Sequence, residues 1–170
     1  MKIIKDDEGR PWNIAITAAS ALRVQSTVRV MVERQSTRPD GKTYSEMASE
    51  PFLISDVSRI TATLNTLRNG YTTAAETVWA IVEPQAAERN VSRESFLNAM
   101  TGDVLDQMSN AVAAELIDFF PSSQRPMLHV LQSKLDEVSE LLVNTAHDRI
   151  KALDTTQAIT AAQATGAFAG

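Results

Sequence analysis

The stretch AAELIDFFPSSQRPMLHVL, residues 113–131, decides how the chain is built. Leu116 and Phe119 finish an apolar face that recurs with helical period from Val104 through Leu105, Met108 and Val112. Pro121 then stops the helix, because proline has no N–H to continue the ladder and its ring clashes with the preceding turn. Ser122 and Ser123 can cap a new helix, and Pro126 falls in its first turn, where a missing N–H costs little. The two phenylalanines are expected to supply core area, and PSSQRP to make a tight reversal between two antiparallel helices.

Downstream lies the clearest helical pattern in the chain. Leu128, Leu131, Leu135, Val138, Leu142, Thr145 and Arg149 alternate steps of three and four, the first five being apolar. Such a stripe suits a coiled-coil-like seam or a packed bundle helix. Residues 154–170, DTTQAITAAQATGAFAG from Asp154, are poor in charge and large apolar groups and read as a flexible low-complexity tail.

Upstream, KIIKDDEGRPWNIAIT reads as a hairpin over residues 1–17, with a polar glycine turn and with Trp12, Ile14 and Ile16 at strand spacing. Pro11 belongs at a strand start or on an edge. Thr17 is a candidate N-cap for an alanine-rich helix. Over residues 27–34 a helical and a strand reading compete, because TVRVMVER alternates. QSTRPDGKTYSE has loop composition, so residues 26–50 are expected to form a variable loop region.

From Pro51 onward Leu53, Val57, Ile60, Leu64 and Leu67 share one helical stripe, closed by Asn69-Gly70. Thr72 or Thr73 would cap the next helix, which carries Val78, Trp79 and Val82 before Pro84 interrupts it. Ser92 would cap another, with Glu94 in its first turn, and Thr101 or Asp103 would start the helix that ends at Pro121. The expected fold is mainly α (α+β): a helical bundle with a short N-terminal β-hairpin and a long C-terminal helix, forming one domain over residues 1–153.

Composition narrows the function classes. A hydrophobic share of 44% with 22% charged residues over 170 positions fits one folded domain. The net charge of −5 and the dispersed basic residues speak against nucleic acid as a partner. The absence of cysteine removes disulfides, thiolate metal sites and a cysteine nucleophile. Without an apolar segment of spanning length or a signal-like start, a cytoplasmic protein with no membrane partner is expected.

Chemistry has little to stand on. His129 and His147 lack the spacing of a helical zinc motif, and Glu115 and Asp118, three apart, read best as a solvated face. No phosphate-cradling loop or nucleophile elbow occurs. Asn90-Val91-Ser92 matches a glycosylation sequon but reads as a helix cap. The expectation is no catalytic residue, no cofactor and no metal site. Candidate partner-binding residues are Leu128, Leu131, Leu135, Val138 and Leu142, which suit binding of another helix with anchors at i, i+3 or i+4, and i+7.

Several motifs resemble a known family. The run from VWAIVEPQAAERNVSRESFLNAM to PSSQRPMLHVLQSKLDE contains an E-P-Q-A run, a V-S-x-E-x-F helix start, a G-D-x-L opening, an L-x-D-F-F-P end and a closing heptad helix. That order is similar to the tail assembly chaperones of long-tailed, siphovirus-like bacteriophages and prophages. The beginning, DDEGRPWNIAITAASALRV, resembles the family's acidic-Gly-Arg-x-Trp hairpin leading into a helix with an Arg-Val pair. The likeness does not extend over residues 26–68.

What the resemblance implies is a non-enzymatic protein of the host cytoplasm that shields the tape measure protein until tail tube protein assembles around it, and that is not retained in the mature virion. It also implies that a frameshifted longer form can begin near the end of the chain. The competing expectation is a structural phage component, a connector or tail-completion protein, that forms a homo-oligomer through its helices.

Overall fold

The computed structural model describes residues 2–152, so the expected tail over 154–170 lies outside the described residues. The chain divides into two compact units, Met1–His129 and Val130–Gly170, a boundary inside the last helix where one domain through residue 153 was expected. The described residues are mainly α-helical, with a short N-terminal hairpin and a long C-terminal helix.

The first unit opens with β1 (Lys2–Lys5) and β2 (Pro11–Ile14), antiparallel, with Ile4 opposite Trp12. Alternation buries Trp12 and Ile14 completely, while Pro11 sits at the strand start, where it need not donate. The turn is organised by one carboxylate. Asp6 Oδ1 accepts from the backbone N–H of Glu8 (3.1 Å) and Arg10 (2.9 Å), and Oδ2 accepts from Arg10 Nε (2.7 Å) and Trp12 Nε1 (2.9 Å). The side chain is wholly buried, and four donors replace the water it lost. Gly9 supplies the positive φ of 76° that the turn needs.

Thr17 caps α1 (Ala18–Thr27) in a reciprocal box: its hydroxyl accepts from Ser20 N–H, and Ser20 Oγ accepts from Thr17 N–H at 2.8 Å. At Val28 the backbone becomes extended, and of the competing readings over residues 27–34 the helix keeps only Thr27 while the strand takes 29–34. β3 (Arg29–Thr37) pairs antiparallel with β4 (Thr43–Pro51) around Asp40-Gly41, with Gly41 at φ 82°. The expected loop over 26–50 is thus corrected to a second hairpin. TYSEMASEP is a weak strand sequence by itself, and its partner VRVMV supplies the ladder it lacks.

The helical stripe expected from Leu53 begins only at Ile60. Asp56 Oδ1 accepts from Ser58 N–H (2.9 Å) and caps a short 3-10 turn, Val57–Arg59, before α2 (Ile60–Asn69). Ile60, Leu64 and Leu67 are buried, whereas Val57 is exposed. Gly70 ends α2 and at once starts α3 (Tyr71–Glu88), so Thr72 and Thr73 lie inside the helix rather than capping it. A Cβ at Gly70 would sit 2.8 Å from the Thr66 carbonyl oxygen, and only glycine fits there.

Pro84 does not interrupt α3, contrary to expectation. Its missing N–H leaves the Ala80 carbonyl without an intrahelical donor. Arg23 of α1 takes that place: its Nε donates to Ala80 O at 2.9 Å and its Nη2 reaches Ile81 O at 3.4 Å. The next residue ties the helix to the hairpin. Gln85 Oε1 accepts from Asn13 N–H (2.9 Å) and Gln85 Nε2 donates to Asn13 O (2.8 Å), completing the open edge of β2 as a neighbouring strand would.

Asn90, at φ 55°, closes α3, with Val91 N–H donating to Ala86 O at 2.9 Å, and Ser92 caps α4 (Arg93–Asn98). The sequon is therefore spent on two helix caps. Glu94 stands in the first turn of α4, and Phe96 is fully buried, edge-on to Trp12 at 5.0 Å. Thr101 N–H donates to Asp7 Oδ2 at 3.1 Å, which anchors α5 (Gly102–Phe119) to the first hairpin. Val104, Leu105, Met108, Val112 and Leu116 are buried as their spacing predicts.

Of the two phenylalanines, Phe120 is buried but Phe119 is exposed. The chain leaves the helix at Phe120, and that change of direction turns the second ring inward while the first stays on the outer side. Arg125 Nε donates to Phe120 O (2.9 Å) and its Nη2 to Asp118 O (2.6 Å), pairing carbonyls at the helix end. Gln124 N–H closes the turn onto Pro121 O. α6 (Arg125–Ala152) follows, with Pro126 in its first turn. Within the first unit α3 is the central element, packing against α1, α2, α4, α5 and β2.

Two predictions follow from these joints. Burial works to raise the pKa of Asp6, but the hydrogen bonds from Trp12 and Arg10 and the Arg10 charge outweigh it and hold the carboxyl below its ordinary value of 3.8. A depressed folded pKa means that this stabilisation is complete above about pH 4 and is lost as pH falls through the folded value. Asp6→Asn should cost about 2 kcal/mol at neutral pH, and urea melts should show a smaller loss from pH 7 to pH 3 in the variant than in the wild type. Arg23→Ala should cost about 1–3 kcal/mol by leaving a buried carbonyl unpaired. Adding Pro84→Ala should recover most of that loss, because the helix regains its own N–H; additive costs in the double-mutant cycle would refute the coupling.

Candidate partner-binding surface

α6 forms because its sequence after Pro126 holds no glycine or proline and is rich in leucine, which loses little freedom in a helix. Lys134 and Glu137 form a local ion pair at 2.7 Å, and Thr145 Oγ1 donates back to Leu141 O. Both contacts lie on exposed side chains and contribute little to stability.

The five residues marked by the heptad spacing divide into three groups. Leu128 is 0% exposed and belongs to the core of the first unit, so it is not available as a contact residue. Leu131 and Leu135 are half-buried. Val138 and Leu142 are 53% and 65% exposed. Leu141, at 66%, is an exposed neighbour that the spacing had not singled out.

At 3.6 residues per turn, Leu131, Leu135, Val138, Leu141, Leu142 and Thr145 fall on one stripe roughly 120° wide. That is broader than the narrow seam of a two-stranded coiled coil. Val143 and Ile150, also exposed, lie outside the stripe on the helix flank. Asp136, Glu137 and Glu140 lie on the face opposite the stripe, so the helix presents an apolar strip with an acidic back.

A second surface was hidden from sequence reasoning. The β3–β4 hairpin buries neither face fully: Val30, Val32 and Ala48 are half-buried on one side, and Met31 and Met47 are 60% and 61% exposed on the other. Glu50 fastens its base. The carboxylate accepts from Arg59 at 3.0 Å and from Arg34 Nε at 2.7 Å, and these two bonds, Arg59 first, draw its pKa below the ordinary carboxylate value. Beside this base, Val30, Val32, Phe52, Arg59, Ala62 and Thr63 line a cleft of about 110 Å³, enough for one side chain of a partner. The signal that could have found this arm was the Asp-Gly turn flanked by two nine-residue segments, the first of them β-branched.

The groups weighed for chemistry are scattered. His129 and His147 are both exposed on α6, and Glu115 is half-buried while Asp118 is exposed. Trp12 is core and Trp79 packs against Phe96 at 5.4 Å. Among the described residues there is no group of three or more His, Asp or Glu side chains that could hold a metal ion, and no helix is long and apolar enough to cross a membrane. Among the described residues the exposed large apolar side chains gather mainly on α6 and the β3–β4 hairpin. In comparisons with known proteins, no family model, no curated protein and no solved structure matches this chain.

Proposed function

We propose that this chain is a phage tail assembly chaperone that binds helical segments of a tape measure protein through the open stripe of α6. The observation that supports the reading is the exposure of Val138 and Leu142 beside half-buried Leu131 and Leu135, on a helix whose opposite face carries Asp136, Glu137 and Glu140. An amphipathic helix laid along that strip would bury apolar side chains at i, i+3 or i+4, and i+7, which is how a long helix is recognised without regard to any one residue. The acidic balance of the chain, −5 overall, favours solubility while apolar surface is on display.

The resemblance in the hairpin, the E-P-Q-A run and the L-x-D-F-F-P end points the same way, towards assembly in the host cytoplasm with tail tube protein as the downstream partner. On this reading the protein makes and breaks no covalent bond and needs no cofactor.

Co-purification of the full chain with the tape measure protein tests the reading. Val138→Ala and Leu142→Ala should each weaken the complex by about five- to tenfold, about 1–1.4 kcal/mol. Leu128→Ala should instead destabilise the first unit by about 2–5 kcal/mol, as a cavity in a packed core does. Unchanged affinity in both surface variants, or a stoichiometric copy of the chain in purified virions, would overturn the proposal.

A further inference from the structure

The β3–β4 sheet has only two strands; β4 meets α1 and ends in Pro51, so the edge left open is that of β3. The register tells which of its backbone groups face outward. Phe52 N–H donates to Val28 O at 3.0 Å and Arg38 N–H to Lys42 O at 2.9 Å, one bond at each end of the ladder. In an antiparallel pair such bonded positions recur at every second residue, so Val30, Val32, Arg34 and Ser36 are the ones that exchange bonds with β4. The N–H and C=O groups of Met31, Glu33 and Gln35 therefore point away from the ladder, and no further strand of the described residues pairs with them.

Open edges are usually blunted by proline or by a bulge. β3 has neither: it holds no proline or glycine, and its register with β4 runs unbroken from Arg29 to Thr37. A row of donors and acceptors repeating about every 6.8 Å fits one kind of guest, another extended backbone. A helix does not serve, because its own N–H groups are already bonded along its axis.

Side chains narrow the guest further. The cleft at the hairpin base opens along Val30 and Val32 and is walled by Ala62 and Thr63 of α2. A guest residue opposite Val32 shares the face of Val32, which is the face of the cleft, and its neighbours in the guest point the other way. Charge adds a second condition. β3 and the turn after it carry Arg29, Arg34 and Arg38 against Glu33, and Arg34 shares the single carboxylate of Glu50 with Arg59. On a chain of net charge −5 this edge is a cationic strip, and it favours carboxylates on whatever lies along it.

We propose that the open edge of β3 binds an extended acidic segment of another protein as a third strand, with one apolar side chain of that segment seated in the cleft. The contact is separate from the α6 stripe and does not rest on the function proposed above, since the edge takes a strand where the stripe takes a helix.

Fluorescence anisotropy of the full chain with a labelled synthetic peptide tests the proposal. The probe is a short run of threonine and valine with one central phenylalanine and a glutamate towards each end. It should bind saturably, and lysine in place of the glutamates should weaken it. The backbone gives the deciding readout: N-methylation of the alternate peptide residues whose N–H groups face β3 should weaken binding about two- to tenfold for each bond lost, and N-methylation of the other alternate set should not. Met31→Pro removes an outward N–H without breaking the ladder to β4, and Ala62→Phe fills the cleft from an exposed helix position. Both should weaken binding, and Ala62→Phe should keep the wild-type melting temperature. Equal binding of the two N-methylated peptides would overturn the proposal, as would unchanged binding in both variants. A peptide that fails to bind, with a free chain whose sedimenting mass rises with concentration and falls back on Met31→Pro, would assign the edge to a second copy instead.

Discussion

The first unit depends on a buried carboxylate whose four hydrogen bonds fix the turn between β1 and β2. Asp6 places Trp12, and Trp12 places much else: Phe96 of α4 stands edge-on to its ring, and Arg89 from the end of α3 lies over it at 4.9 Å. Arg10 extends the same network to Ser95, with Nη1 donating to its hydroxyl at 3.1 Å. A two-stranded hairpin is marginal in water, so it persists only because its indole is held inside by polar bonds at one end and ring contacts at the other. Charge and apolar packing here serve one joint.

The same economy marks the motifs on which the proposed kinship with tail assembly chaperones rests. In the E-P-Q-A run, Pro84 opens a carbonyl that Arg23 fills, Gln85 completes an edge of β2, and Ala86 accepts the bond that closes the helix. The Arg-Val pair is Arg23 and the fully buried Val24. In L-x-D-F-F-P, Leu116 and Phe120 are core, and Arg125 pairs the carbonyls of Asp118 and Phe120. These motif residues are joints between elements. The proposed binding function draws on surfaces outside these joints.

Two such surfaces stand out for opposite reasons. The stripe of α6 is regular and apolar, with acids on the opposite face, and its geometry follows from helical period alone. The β3–β4 hairpin is mostly polar, and its two exposed methionines offer adaptable apolar contacts of the kind that conform to varied partners. Its position is set by Glu50 of β4, shared between Arg34 of the paired strand β3 and Arg59 at the end of the 3-10 turn before α2. Neither surface needs the other to be formed, since one rests on backbone periodicity and the other on a cross-strand ladder.

What the amino-acid sequence determined by itself was local: the glycine turn of the first hairpin, the Thr17 and Ser92 caps, the period of α5 and α6, and the lack of any recognisable catalytic motif. These depend on residues within a few positions of one another, so a single chain carries the whole signal. Tertiary structure decided the rest. The β3–β4 ladder pairs Arg29 with Pro51 across the chain, the continuity of α3 through Pro84 needs a guanidinium from α1, and Asp56 delays α2 to Ile60 by capping a tighter turn first. Whether an apolar stripe becomes core or surface was decided the same way. Leu128 and Leu142 share one heptad row, and only packing against other elements buries the first and leaves the second open, because burial is a property of neighbours and not of spacing.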